Sequence, residues 1–325
     1  MTGESLQGNS PKSVSVVSPV YNNHGSIRQL VRRIIAVGKA RFPNAQLEII
    51  LVDDGSTDES LAEVREAAAH SALDASVKVL RLSRNFGQVS AIVAGLSISS
   101  GDATIVISAD LQDPPELMGD MVEAWMSGAE VVVAARGERD DGHVNSLFSR
   151  LSYAVARRSY RDMPRGGFDY FLLSRRAAEQ FVSKPGRKRF LQGEVFELGY
   201  RRHVLHYVRE RREVGKSQWR FWKRLEYFVD LVLASTSLPI RAATFVGFLA
   251  VLASIVYGVV VVVARALGAT PIDGWTPLIL ITLFFGGITV FLLGLVGEYV
   301  WRIYDEVSGK RQFLVEAVEE DPERN

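Results

Sequence analysis

Two long uncharged runs near the C-terminus constrain this chain more than any other feature. Ala242 to Ala264 spans 23 residues without a charge, and Pro277 to Gly297 spans 21. A helix of about 20 apolar residues crosses the ~30 Å hydrocarbon core of a bilayer. One such run could be a buried core helix, but two, both rich in Val, Leu, Ile, Phe and Gly, favour a membrane. The connector Arg265 to Thr276 carries the turn formers Gly268, Pro271, Asp273 and Gly274. The expectation is a transmembrane hairpin over 241–301, with spans at 242–264 and 277–299. Lys223, Arg224 and Arg241 precede it and Arg302, Lys310 and Arg311 follow it, whereas the connector holds only Arg265. The positive-inside rule then places both termini in the cytoplasm, with the chain a multi-pass protein of the inner (cytoplasmic) membrane. Residues 219–240 interleave aromatic and aliphatic positions with Arg220, Lys223 and Arg224, the pattern of interfacial amphipathic helices. Residues 302–325 form a cytoplasmic tail.

Charge is distributed as unevenly as hydropathy. The net +1 of the 325 residues resolves into −6 for 1–135 (10 Lys/Arg against 16 Asp/Glu), +12 for 136–224 (22 against 10) and −5 for 225–325 (6 against 11). With no cysteine there is no disulfide framework, thiolate metal site or cysteine nucleophile, and the five histidines show no metal-ligand spacing. Residues 1–12 are polar, lack the apolar stretch of a secretory signal, and are expected to be a flexible N-terminus ahead of a cytoplasmic domain over 13–218.

That domain alternates strand-like and helix-like segments. Ser13 to Val20, Leu47 to Val52, Val77 to Leu82, Ala103 to Ser108 and Glu130 to Ala135 are apolar runs of strand length. Ser26 to Ala40, Ser60 to His70, Gly87 to Ser97 and Pro115 to Ser127 separate them with helical patterns. The alternation predicts an α/β fold with a mostly parallel sheet and helices on both faces. Ligands of such sheets sit beyond the carboxyl ends of the strands. There the chain carries Pro19-Val20-Tyr21-Asn22, Asp53-Asp54-Gly55-Ser56-Thr57-Asp58, Arg84-Asn85-Phe86-Gly87-Gln88 and Asp110-Leu111-Gln112-Asp113-Pro114-Pro115-Glu116.

No G-x-G-x-x-G follows the first strand and no G-x-x-x-x-G-K-[ST] is present, so dinucleotide and P-loop chemistry lack their phosphate loops. Acidic residues stand there instead. Two neighbouring carboxylate clusters suit a base or ribose contact on one side and a divalent cation on the other. Helix capping is an equally good reading of Asp54, with Ser56 or Asp58 in the same turn, and of Asp113 ahead of Pro114 and Pro115.

V-S-P-V-Y-N, V-D-D-G-S-T-D, R-N-F-G-Q and A-D-L-Q-D-P-P-E, in this order, resemble family 2 glycosyltransferases of the GT-A fold. More narrowly, the chain resembles the polyprenyl-phosphate glycosyltransferases, the group of dolichol-phosphate mannose synthases and bacterial undecaprenyl-phosphate sugar transferases. The likeness continues through Tyr207-x-Arg209-x-x-Arg212-x-x-Gly215-Lys216-Ser217 and the G-E-Y-V-W-R-I-Y-D-E of Gly297 to Glu306. It implies nucleotide-sugar contacts from Pro19, Tyr21, Asn22, Asp53, Asp54, Asn85 and Gly87, with Arg212 and Lys216 on the diphosphate. It further implies Mg²⁺ or Mn²⁺ held by Asp110 and Gln112, a hard-cation donor set completed by phosphate and water. Two positions depart from the family pattern: D-A-D reads Ser108-Ala109-Asp110, and P-x-Y-N-E-E reads Pro19-Val20-Tyr21-Asn22-Asn23-His24. Weaker metal binding is the expected consequence of Ser108.

The resemblance also gives the basic segment a ligand. Arg136, Arg139 and Ser149 are the implied contacts to the acceptor lipid phosphate, while Arg150, Arg157 and Arg158 suit anionic headgroups. Nucleic acid is not an expected partner, because no nucleic-acid-binding motif accompanies the charge. Asp169, in G-G-F-D-Y-F-L, stands where the family carries the Asp of D-F-R-L and is expected, with Asp110, among the catalytic groups. The implied reaction is inverting transfer of a hexose, with UDP-glucose as the starting assumption, to a polyprenyl phosphate for cell-envelope glycan assembly or lipopolysaccharide modification. A downstream lipid-sugar flippase is the implied partner. Two alternatives stand beside it: a non-catalytic membrane scaffold, and a processive polysaccharide synthase, which two spans and the absence of Q-x-x-R-W disfavour. Gly286, Gly287, Gly294 and Gly297 leave a homo-oligomer open through close helix packing.

Overall fold

A computed structural model describes residues 11–71, 75–136, 164, 168–184, 186, 189–207, 238–267, 275–308 and 311–319. The chain divides into two compact units, Met1–Phe228 together with Arg311–Asn325, and Val229–Lys310.

The first unit is built on an eight-stranded sheet: β1 (Ser13–Val20), β2 (Gln46–Asp53), β3 (Ser76–Leu82), β4 (Ala103–Val106), β5 (Val131–Arg136), β6 (Tyr170–Ser174), β7 (Arg202–Tyr207) and β8 (Val315–Glu319), in the spatial order β7-β5-β6-β4-β1-β2-β3-β8. β4, β1, β2 and β3 run parallel to one another, as do β5 and β7, while β6 and β8 are antiparallel to their neighbours. All five strands expected from sequence form, within a residue or two of their expected bounds. β6, β7 and β8 are additional, and β8 lies in what the sequence reading treats as a tail.

The helices of this unit are α1 (Ile27–Arg41), α2 (Ser60–Ser71), α3 (Gln88–Ile98), α4 (Met118–Met126), α5 (Arg175–Ser183) and α6 (Leu191–Glu197). The segment expected as a single helix from Pro115 begins instead with a 3₁₀ turn, Pro115–Leu117, before α4. Alternation along the strands separates two cores. Val14, Val16, Ile49, Leu51, Val77, Val79 and Ile105 cluster with Leu30, Val31 and Ile34 of α1, Val64 of α2 and Met121 of α4. On the opposite face α3 lies against β1 and β2 and is covered in turn by α5. That position explains why Ser90 to Leu96 is buried all round. Gly95 permits the approach: a Cβ there would lie 2.4 Å from Val17 Cγ1 and 3.0 Å from Val52 Cγ2.

The second unit holds α7 (Leu238–Ala266) and α8 (Trp275–Val307), which touch where Gly247 faces Leu292. Large apolar side chains on both stand exposed, among them Phe245, Phe248, Ile255, Phe284, Phe291 and Trp301. Among the described residues, one stretch is long and apolar enough to cross a membrane, Phe284–Trp301 in α8, with none of it buried. The expected interfacial segment 219–240 lies almost wholly outside the described residues.

At the amino ends of the strands, Glu48 is a buried carboxylate with a full set of partners. It accepts from Ser15 Oγ, from the Ser100 amide at 2.8 Å and from Ser100 Oγ at 2.9 Å, and Lys78 Nζ lies 3.3 Å away. Burial opposes its charge, but the hydrogen bonds from Ser15 and Ser100 outweigh burial and hold it below the ordinary glutamate value. Its contribution to stability is therefore full above the unfolded-state value and is lost as pH falls through the depressed folded-state value. Glu48→Ala is expected to cost about 1–3 kcal/mol at pH 7 in urea unfolding. The gap to the unaltered chain should narrow on acidification below pH ~4.

Candidate active site

Register brings the expected site segments to one edge of the sheet. The carboxyl ends of β1, β2, β3 and β4 coincide because these strands are parallel. β6 is antiparallel to β4 with Val106 opposite Phe171, so Asp169, which precedes β6, emerges beside the loop that follows β4. Ala134 pairs with Tyr170 and Arg136 with Tyr207, so the chain leaves both β5 and β7 at the same edge. Residues far apart in sequence, Asp53, Asp110, Arg136 and Asp169, thus share one rim. Arg139, Ser149, Arg212 and Lys216 lie outside the described residues.

The loops after β1 and β2 are knitted together. The Asn22 amide donates to Ser56 Oγ at 3.2 Å, the Thr57 amide donates to Asn22 Oδ1 at 2.9 Å, and the Asn23 amide donates to Ser60 Oγ at 2.8 Å. Asn22 takes φ 52°, a left-handed conformation that Asn tolerates better than most residues. Its side chain is engaged in holding the loop, and the Tyr21 amide is engaged with Asn23 Oδ1 at 2.9 Å. Glu63, buried in α2, accepts from the amides of Gly25 and Arg28 at the start of α1, with His24 Nδ1 3.3 Å away. Pro19 is partly exposed near the end of β1, opposite Val52.

The two aspartates of the D-D-G-S element have different tasks. Asp54 accepts from the amides of Phe86 at 2.7 Å and Gly87 at 2.9 Å, tying the loop after β2 to the loop after β3 at the N-terminus of α3. Burial raises its pKa; the two amides and Arg84 oppose the shift, and the neighbouring Asp53 adds to it. Capping of its own helix falls instead to Asp58, whose Oδ1 accepts from the Ser60 amide at 3.0 Å. Asp53 uses Oδ1 for the Ser56 amide at 3.2 Å, while its Oδ2 is buried with no hydrogen-bond partner among the described residues. A buried acceptor left open costs energy unless something fills it, so Asp53 Oδ2 is the stronger candidate for a ligand contact. Asn85 and Gly87 lie on the loop that Asp54 holds.

After β4 the backbone is strained. Leu111, a buried side chain, takes φ 58°, a left-handed conformation that costs about 1–2 kcal/mol outside glycine. It sits between Asp110 and Gln112, whose amide donates to Asp110 Oδ1 at 3.2 Å. Asp113, whose capping role the sequence left open, accepts from the Tyr207 hydroxyl, and the Tyr170 hydroxyl donates to the Pro114 carbonyl at 3.2 Å. Burial and the nearby Asp113 push the Tyr170 phenol well above its ordinary value, so it remains a donor. These two tyrosines brace the Asp110–Gln112 loop, and sequence reasoning missed both roles. Tyr207 was visible only as the start of the basic motif.

Among the described residues no group of three or more His, Asp or Glu side chains is poised to hold a metal ion. Asp110 and Gln112 lie on one turn, joined through the Gln112 amide, and their carboxylate and side-chain amide oxygens are the donor types of a hard cation that takes its other ligands from phosphate and water.

The family model for glycosyl transferase family 2 matches residues 15–181, which include every strand-end motif of this rim up to β6. The chain belongs to glycosyl transferase family 2. It is 34% identical over 307 residues to the glycosyltransferase YkcC of Bacillus subtilis (strain 168), covering 93% of each chain. It is 30% identical over 304 residues to the SfII prophage-derived bactoprenol glucosyl transferase of Shigella flexneri, covering 93% of this chain and 97% of that one. Among solved structures, glucosyl-3-phosphoglycerate synthase from Mycobacterium tuberculosis, in complex with Mn²⁺, UDP-glucose and phosphoglyceric acid, is 20% identical. It has a TM-score of 0.48 and covers 69% of this chain and 78% of that one.

This family 2 glycosyltransferase carries a tight packing requirement in the same rim. A Cβ on Gly55, at φ 68°, would stand 2.6 Å from the Arg84 carbonyl carbon and 2.7 Å from the Asn85 nitrogen, whereas Gly87, at φ 96°, faces open space. Both Ala substitutions meet backbone strain, but only Gly55→Ala adds a backbone clash. It should lose about 1–3 kcal/mol more stability than Gly87→Ala in urea unfolding.

Proposed function

We propose that this chain moves glucose from UDP-glucose to a polyprenyl phosphate at a membrane, giving a lipid-phosphate-sugar for envelope glycan modification. The observation that carries this reading is the similarity to bactoprenol glucosyl transferases over 93% of the chain, a span that takes in the apolar helices as well as the sheet. On this reading α7 and α8 are the two arms of a membrane hairpin and the chain is a multi-pass protein of the cytoplasmic membrane. Their exposed apolar side chains have the character of a lipid-facing surface.

The chemistry follows from the rim. Asp53 Oδ2 accepts from the base or ribose of the nucleotide, while Asp54 holds the loop of Asn85 and Gly87 beside it. Asp110 and Gln112 hold Mg²⁺ or Mn²⁺, which when bound neutralises charge on the departing nucleoside diphosphate. Arg212 and Lys216 offer further positive charge to that diphosphate, with Arg geometry suited to phosphate oxygens. Arg136, at the end of β5, and the basic segment after it receive the lipid phosphate.

The nucleophile is an oxygen of that phosphate. A phosphate monoester has a second pKa of about 6 and is mostly dianionic at pH 7, so no strong base is required. Asp169 orients the acceptor or the donor sugar from its place beside the β4 loop. The phosphate oxygen bonds to the anomeric carbon as the bond from that carbon to the diphosphate breaks. A single displacement inverts the centre, so an α-linked donor yields a β-linked product.

The decisive assay incubates the protein in membranes with undecaprenyl phosphate, Mg²⁺ or Mn²⁺ and labelled UDP-glucose. Label should become soluble in organic solvent, β-linked, and Asp110→Asn should reduce the rate at least about 100-fold. Insoluble polymer would indicate a synthase, no product a scaffold, and an α-linked product a different mechanism. Normal turnover by Asp110→Asn would refute the metal assignment.

A further inference from the structure

We infer that the C-terminal strand β8 is a positioning element of the donor site, acting through the loop Ser83 to Gly87. This rests on the reading above, in which that loop lines the nucleotide.

β8 covers the edge of β3, which would otherwise present unpaired backbone groups beside the site. It pairs antiparallel, with Val79 opposite Glu319, Leu80 opposite Val318, Arg81 opposite Ala317 and Leu82 opposite Val315, and the register shifts between Arg81 and Leu82. The pairing continues past β3 into the loop, where the Ser83 amide donates to the Leu314 carbonyl at 3.0 Å. In the next two residues the backbone of Arg84 and Asn85 takes the space that a Cβ on Gly55 would need, and the Phe86 and Gly87 amides that follow are held by Asp54. The loop is thus pinned on one side by Asp54 and Gly55 and on the other by Leu314. Arg84, stacked over Phe86 at 4.2 Å, lies between those pins.

Side chains lock the strand in place. Arg65 of α2 forms a forked pair with Glu319, with contacts of 2.6 and 2.9 Å, and Arg81 Nη1 lies 3.3 Å from Glu316. The Arg65 partnership holds Glu319 below the ordinary carboxylate value. β8 enters the sheet at the ligand-bearing edge, with its first residue, Val315, opposite Leu82 at the carboxyl end of β3.

Glu316→Arg combined with Glu319→Arg sets like charges against Arg81 and Arg65, and adding Arg65→Glu and Arg81→Glu restores opposite charges. A chain ending at Lys310 removes β8 and keeps both long helices. The charge reversal should raise both the KM for UDP-glucose and the Kd for UDP, read by calorimetry, about tenfold. kcat and the KM for undecaprenyl phosphate should stay within about twofold. The four-site swap should return UDP affinity to that of the unaltered chain, and the truncated chain should show the same defect as the reversal, or a larger one. Unchanged UDP affinity in the reversed protein, equal losses toward UDP-glucose and lipid phosphate, or no recovery in the swap would overturn the inference. If the truncated chain fails to fold, the reversal and swap decide. A chain that binds UDP but glucosylates no lipid contradicts the proposed function while leaving the strand's effect on UDP measurable, and a chain that binds no UDP overturns both.

Discussion

The parallel pairing of β4, β1, β2 and β3 is the constraint on which the rest of the first unit depends. Parallel strands must be joined by crossovers, so α1, α2 and α3 carry the chain back across the faces of the sheet. Every carboxyl end then opens at one rim. The antiparallel insertion of β6 extends this logic: reversing one strand brings the start of β6, and so Asp169, to the rim where β4 ends. A family built on this scaffold can change its substrates through the loops while the pairing stays fixed.

The rim is polar, but much of its polarity serves its own architecture. Asn22, Asn23, Ser56, Ser60, Glu63 and Asp54 all spend side-chain oxygens as acceptors for the backbone amides of neighbouring loops. Loops of this kind cannot rely on ladder hydrogen bonds, so short side chains take over that role. Two features stand apart: the open Oδ2 of Asp53, and the strained turn at Leu111 that places Asp110 beside Gln112. Strain held at a site by surrounding structure points to function, and here Tyr170 and Tyr207 supply the bracing.

The sequence makes the first five strands and the first four helices legible because each carries its own period, continuous apolar runs for buried parallel strands and a 3.6-residue pattern for helices. β6 and β7 carry weaker signals. β6 is only five residues long, and β7 has Arg202, His203 and His206 at half of its six positions with no alternation. β8, Val315 to Glu319, has three of its five residues charged or small and reads as a tail. Nothing local marks it as a strand, since its stability comes from the edge of β3 and from Arg65 and Arg81. The division of labour between Asp53 and Asp54 is equally invisible in sequence, where the two are adjacent and chemically identical.

By itself the sequence determined the α/β class, the two long apolar segments, the uneven charge and the set of acidic strand-end motifs, because these are properties of composition and period along the chain. Only the tertiary structure decided which of those residues meet, because register between strands distant in sequence is fixed by pairing and packing that no local pattern records. That is why Asp113 meets Tyr207, why Asp54 belongs to the loop after β3, and why the last described residues return to the sheet beside the site.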